Sequence, residues 1–151
     1  MISYYSGDLL RSDTDAIVNA VNTVGVMGKG LALQFRNEFP LNYKKYQVAC
    51  KNGGLQPGKL LLCRDHNPAG EERVIVNFPT KIHWRLPSQY EYVEEGLKAL
   101  VKLISEEKIK SIAIPPLGCG LGGLDWAIVK PMMISYMEMV DADVRIYEPK
   151  T

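Results

Sequence analysis

Four things are scarce or missing in this sequence, and each narrows the field. No apolar run in the 151 residues approaches the length of a membrane span, which argues against a helical membrane protein. The start, Met1-Ile2-Ser3-Tyr4-Tyr5-Ser6, lacks the basic flank and apolar core of a signal peptide. Cysteine is limited to Cys50, Cys63 and Cys119, an odd number without paired spacing. Neither a disulfide framework nor a zinc site is readable from it, and a reduced cytoplasm is the expected compartment. Excess charge of one sign is also lacking, with 18 Lys+Arg against 17 Asp+Glu. A net charge of +1 excludes a bulk polycation, so any nucleic-acid contact must come from a local patch.

What is present suits one soluble domain over residues 1–151, with 46% hydrophobic and 23% charged residues. Strands are expected at Ile2 to Tyr5, Ala16 to Val18, Lys59 to Cys63, Arg73 to Phe78, Ser111 to Ile114 and Val144 to Tyr147. Helices are expected from Leu31 to Phe39, stopped by Pro40, and from Asn42 to Cys50, ended by Asn52-Gly53-Gly54. A third helix follows Ser88, read as an N-cap that forms a capping box with Glu91, and carries a stripe of Val93, Leu97, Leu100, Val101 and Ile104. Trp126, Val129, Met133, Tyr136 and Val140 mark a fourth, as core residues. Pro79 is expected to break its strand. Strands and helices interleave without repeats or linkers. That pattern predicts an α/β fold, a single-domain three-layer α/β/α sandwich on a mixed central sheet.

Two glycine-punctuated loops stand out. The first, Gly25 to Gly30, follows the strand and the polar pair Asn19 and Asn22, and precedes a helix. The second, Pro115 to Gly123, also lies between strand and helix. Glycines let backbone approach a ligand, and helix N-termini offer free N–H groups and a positive dipole end. The two loops are expected to line one cleft at the carboxyl edge of the sheet. Neither is a nucleotide-hydrolase P-loop. Around Gly28-Lys29, Thr23 stands where the first glycine is needed and Gly30 where a hydroxyl would hold magnesium. Gly118, Gly120 and Gly123 satisfy G-x-G-x-x-G, but only one strand remains after the helix, and Asp141 and Asp143 lie before it rather than at its end, where a Rossmann unit needs its ribose-binding acid.

Lys81 follows the Asn77 to Phe78 strand end, so it is expected to face the same cleft, as nucleophile or base. His83, Trp84 and Arg85 suit a nucleic-acid strand through phosphate contact and base stacking, and equally suit a loop packed by its own tryptophan. Cys119, with no general base beside it, reads as a small packing residue.

Taken together and in order, several segments resemble the macrodomain family, modules that bind ADP-ribose. They are Ser6-Gly7-Asp8-Leu9-Leu10, Ile17 to Asn22, Gly28-Lys29-Gly30-Leu31-Ala32 and Ile114 to Gly120. Asn77-Phe78-Pro79-Thr80-Lys81 is similar to the branch holding the terminal ADP-ribose glycohydrolase and the DarG-type antitoxins, and Gly118 to Trp126 lies nearer the antitoxins. The resemblance implies roles. Asp8 would accept from the adenine amino group, with Leu9 donating a backbone N–H. Asn22 would hold a distal-ribose hydroxyl, with Asn19 bracing its loop. Leu117, Gly118, Cys119, Gly120, Leu121 and Gly122 would wrap the diphosphate, while Gly28, Lys29, Gly30 and Thr80 would help enclose the distal ribose. Lys81 and Asn22 would be the catalytic residues.

The implied reaction removes ADP-ribose from thymidine in single-stranded DNA and so reverses a DarT-type toxin, which would be engaged through a region beyond this chain. ADP-ribose is ligand and product, and no cofactor or metal is implied. One departure stands out: where the glycohydrolase branch has an aspartate that resolves a lysine adduct, this chain has Gly122-Gly123. Hydrolysis of ADP-ribose esters on acidic side chains, and binding without chemistry, are the alternatives.

Overall fold

The computed structural model describes residues 1–150. Six strands form one sheet: β1 (Ile2–Tyr5), β2 (Ala16–Asn22), β3 (Leu61–His66), β4 (Glu72–Lys81), β5 (Ser111–Ile114) and β6 (Asp143–Tyr147). Their spatial order is β1-β6-β5-β2-β4-β3. Every pairing is parallel except that of β3 with β4, so the sheet is mixed as expected. The helices are α1 (Gly30–Glu38), α2 (Pro40–Lys51), α3 (Tyr90–Glu106) and α4 (Trp126–Met137), with one 3₁₀ turn at Leu9–Arg11.

Strand alternation builds the three layers. Ala16, Val18, Ile112 and Ile114 face a core shared with α3 and α4. Their neighbours Ile17 and Ala113 face the other way, against Phe35 of α1 and the following Phe39. Val21 joins Tyr46 of α2, Met27 and Leu55 in a third cluster. Central strands covered on both sides need apolar residues at every position, which is why Ala16-Ile17-Val18 reads as an unbroken apolar run.

Four expectations change in detail. β2 continues through both asparagines to Asn22 instead of ending at Val18. Pro79 does not break β4: β3 pairs only as far as Asn77, so the strand beyond has an open side where a missing N–H is tolerated. β3 runs Leu61–His66 rather than Lys59 to Cys63, because an edge strand alternates, with Cys63 and Asp65 buried and Arg64 and His66 exposed. Ser88 is not the cap of α3. Gln89 holds that position without a side-chain bond, while the Ser88 backbone N–H donates to the Gly122 carbonyl at 3.0 Å. That bond draws residue 88 away from the helix and under the second glycine loop.

Gly96 sits in the middle of α3, where glycine costs about 1 kcal/mol relative to alanine. It is there because the Phe78 ring of β4 lies against the helix backbone. A Cβ on residue 96 would stand within 3 Å of that ring. Gly96→Ala is therefore expected to destabilise the fold by about 1–2 kcal/mol, overpacking outweighing the propensity gain. Thermal unfolding checks the sign, and a raised melting temperature would overturn the assignment.

Candidate active site

At the carboxyl end of β2 and β4 a cleft of about 950 Å³ opens. It brings together Ala20, Val21 and Asn22 of β2, Thr80 and Lys81 of β4, residues 28–32, Trp84 and Arg85, and Pro115, Pro116 and residues 118–122. The two glycine loops therefore share one cleft, as their placement predicted. Among the described residues Lys29, Lys81 and Arg85 are its charged lining groups, and no carboxylate lines it. Such a surface suits an anion.

The first loop delivers the N-terminus of α1. The backbone N–H groups of Gly30, Leu31 and Ala32 lie in its first turn, where no helical partner exists, and all three residues line the cleft. Lys29 is the N-cap and makes no side-chain cap bond. A cation there opposes the helix dipole until an anion arrives, so the local stability loss is consistent with ligand binding.

The second loop is a nest of donors. Gly118 adopts φ +72°, where a Cβ would stand 2.7 Å from Leu124. Internal bonds from Cys119 N–H to Pro116 C=O, Gly123 N–H to Gly120 C=O and Leu124 N–H to Gly118 C=O fold it back on itself. The N–H groups of Gly120, Leu121 and Gly122 have no protein acceptor among the described residues. Successive free N–H groups beside a helix N-terminus bind phosphate. Leu117 is fully buried behind the loop. Burial pushes the Cys119 thiol up to about 11, and the Asp125 charge adds to this, so the side chain remains a neutral packing group.

A Cβ on Gly122 would collide with the Ser88 hydroxyl and the Gly118 carbonyl. Position 122 therefore has no room for a carboxylate in this backbone. Asp125 does not replace it, because its side chain caps α4 by accepting from the Ala127 N–H at 2.9 Å.

Lys81 reaches the cleft through a bulge. Val21 pairs with Pro79 and Asn22 with Lys81, leaving Thr80 unpaired. A bulge re-aims side chains, which explains how consecutive residues Thr80 and Lys81 both line the cleft. The Lys81 ammonium donates to the Leu121 carbonyl at 3.1 Å and the Trp84 carbonyl at 3.4 Å. It thus ties the end of β4 to the second loop and to the segment after it. Trp84 is 45% exposed, with the Arg85 guanidinium 4.6 Å over its ring and the His83 ring 5.2 Å away. It is not packed into the loop, and His83 stays outside the cleft lining.

The asparagines separate. Asn22 lines the cleft, whereas Asn19 is wholly buried behind it, its amide 3.5 Å from Asn77 and 3.8 Å from the Met27 sulfur. Asp8 and Leu9 do not line the cleft. Asp8 caps the 3₁₀ turn, Oδ1 accepting from Leu10 N–H at 3.0 Å, and Leu9 is buried against the α1 cluster that includes Leu31. Tyr46, which contacts Asn22, was not singled out by the sequence. Its only local signal is the apolar face of α2.

A family model for the Macro domain matches residues 18–133. The chain is a macrodomain. Among its relatives is a DNA ADP-ribosyl glycohydrolase of Thermus aquaticus, 51% identical over 150 residues, which cover 99% of this chain and 41% of the relative. One of the same name from Mycobacterium tuberculosis is 49% identical, with 99% and 42% covered. The macrodomain of Mycobacterium tuberculosis DarG superposes with a TM-score of 0.93 at 48% identity, covering 99% of both chains. Thermosipho africanus DarTG, solved in complex with ADP-ribose, gives a TM-score of 0.91 at 40% identity, covering 98% of this chain and 41% of that one. This macrodomain thus spans about two-fifths of the length of the curated relatives it matches. No helix among the described residues is long and apolar enough to cross a membrane.

Proposed function

We propose that this macrodomain hydrolyses the bond between ADP-ribose and a thymine base in single-stranded DNA. The observation that carries the reading is Lys81, an ammonium held 3.1 Å from the Leu121 carbonyl of the donor-lined loop. ADP-ribose fits the cleft chemistry: the diphosphate on the free N–H groups of residues 120–122 and the α1 terminus, the distal ribose by Asn22 and Thr80. Asp8 would meet the adenine amino group through Oδ2, which also lies 3.5 Å from Arg11 Nε, since Oδ1 already accepts from Leu10. His83, Trp84 and Arg85 would take the neighbouring strand, through phosphate contact and stacking on the exposed indole. Relatives about half identical in sequence carry the name of this activity. A Thermosipho africanus relative is a fusion of a DNA ADP-ribosyl transferase with the glycohydrolase, which supports a toxin of that kind as the source of substrate and as a partner.

The bond broken joins the anomeric carbon to a base nitrogen. The base leaves with the bonding electron pair, positive charge builds on the sugar, and water adds at the anomeric carbon. One water proton is released and the base nitrogen regains one. We assign Lys81 the role of an ammonium that stabilises the departing base, for two reasons. Its N–H groups are already directed at two carbonyls. Among the described residues no carboxylate lines the cleft to resolve a lysine adduct.

The test is release of free ADP-ribose from an oligonucleotide carrying ADP-ribosylated thymidine, beside a peptide carrying ADP-ribosylated glutamate. Release from the DNA alone is the expected result. Release from the peptide alone would move the assignment to ester hydrolysis, and binding without release from either would leave a reader module.

A further inference from the structure

Tyr46 lies on α2, outside the cleft lining and fully buried. Its hydroxyl is 2.8 Å from the Asn22 backbone carbonyl and 2.7 Å from Asn22 Oδ1, so one phenol hydrogen is shared between them. The same Oδ1 accepts from the backbone N–H groups of Val24 at 3.1 Å and Val26 at 3.3 Å. A carboxamide oxygen has two lone pairs, and three donors already converge on this one. On the other side, Nδ2 donates to the Val26 carbonyl at 2.7 Å. An amide has two hydrogens, so one remains.

The orientation of the amide is therefore decided by its neighbours. A flip would set an NH₂ group against two backbone N–H groups and a carbonyl oxygen against the Val26 carbonyl, and the phenol would lose the bond it now donates to Oδ1. In isolation asparagine both donates and accepts. Here it has one donor left and no acceptor.

We propose that Tyr46 is a positioning residue that locks Asn22 as a pure donor, so that the ligand hydroxyl facing Asn22 must accept. The inference rests on the reading that Asn22 meets the distal ribose. It makes Asn22 selective: a ligand lacking that oxygen leaves an amide hydrogen unpaired on a side chain that is largely buried. Burial raises the Tyr46 phenol well above its ordinary value, so it stays protonated and remains a donor throughout the working pH range. Val21, Met27 and Leu55 pack around the ring and hold the hydroxyl in place.

The test is a double-mutant cycle on ADP-ribose affinity, measured by calorimetry with the whole chain. Tyr46→Phe keeps the ring and removes the hydroxyl. We expect it to weaken binding about tenfold, the value of roughly one hydrogen bond. Asn22→Ala is expected to weaken binding by at least as much. Adding Tyr46→Phe to Asn22→Ala is expected to cost much less than in the wild-type background, because only the bond to the backbone carbonyl of residue 22 remains to be lost. Equal losses in both backgrounds, or no loss in the wild-type background, would overturn the inference.

A second measurement needs no variant. In NMR of the ligand-free protein the Asn22 side-chain amide hydrogen bonded to the Val26 carbonyl should exchange with water much more slowly than the other, and only the other should shift strongly on adding ADP-ribose. Equal exchange of the two hydrogens with water would overturn the lock. Failure of the underlying reading looks different: the lock is seen by NMR, yet wild type binds no ADP-ribose or Asn22→Ala binds it unchanged, and the role for Tyr46 in binding then falls with its premise.

Discussion

Lys81→Ala is expected to slow ADP-ribose release from modified DNA on the order of 10²- to 10⁴-fold, the usual contribution of a positioned proton-transfer or charge-stabilising group. Affinity for free ADP-ribose should change by no more than about twofold, because the interaction is made with the departing base and only in the transition state. The structure explains why such a clean separation is possible. The lysine donates to the Leu121 and Trp84 carbonyls, both of which face water when it is removed, so neither is left buried and unpaired. Stability should therefore move by less than about 1 kcal/mol. The free N–H groups of residues 120–122 belong to a loop folded by its own backbone bonds, and they do not depend on the lysine. Single-turnover release with the variant beside wild type, together with calorimetry, checks both halves. Unchanged turnover would remove Lys81 from the mechanism. A parallel collapse of affinity would make it a binding residue instead.

Gly122→Ala should do the reverse and remove binding itself. Its Cβ would stand within 3 Å of the Gly118 backbone carbonyl and overlap the Ser88 hydroxyl. Neither is the free end of a flexible side chain. Ser88 is nearly fully buried and is bound to Gly122 through its own N–H. The loop must move, and with it the free donors at 120, 121 and 122. Losing two charge-assisted hydrogen bonds to phosphate at about 1.5–3 kcal/mol each implies at least a hundredfold loss of ADP-ribose affinity. Overpacking should cost a further 1–3 kcal/mol of stability or thereabouts. Calorimetry and thermal unfolding are the measurements. Near-normal affinity would show that the diphosphate is held elsewhere. A Ser88→Gly change in the same chain relieves only part of the overlap, since the Gly118 carbonyl remains, so it should recover only part of the loss.

Between them these two substitutions separate chemistry from binding, and they also separate what was legible from what was not. The glycine loops could be read directly, because the demand for glycine is local: Gly30 and Gly118 take positive φ, and a side chain there is strained whatever surrounds it. The alternation of strands and helices could be read because the period of the apolar pattern is local as well. Lys81 was placed near the cleft by its position after a strand, without knowledge of the bulge at Thr80 that aims it there.

Other features depended on partners distant in sequence. Ser88 and Glu91 spell a capping box, yet the Gly122 carbonyl claims the Ser88 N–H from 34 positions away along the chain. Pro79 reads as a strand breaker until it is known that β3 has already ended beside it. Asn19 and Asn22 look equivalent as a pair of turn amides, but burial assigns one to an internal amide network and the other to the cleft. Tyr46 carries no local signal for its hydroxyl contact at all.

The sequence alone therefore determined the layered α/β class, the two phosphate-type loops and the candidate lysine, since each follows from backbone conformational preference or from the period of the apolar pattern. Only the tertiary structure decided which asparagine faces the cleft, in which orientation its amide is held, and why residue 122 has no side chain. Those are packing and hydrogen-bond relations between segments far apart in the chain, and a linear pattern of residue types does not contain the distances that settle them.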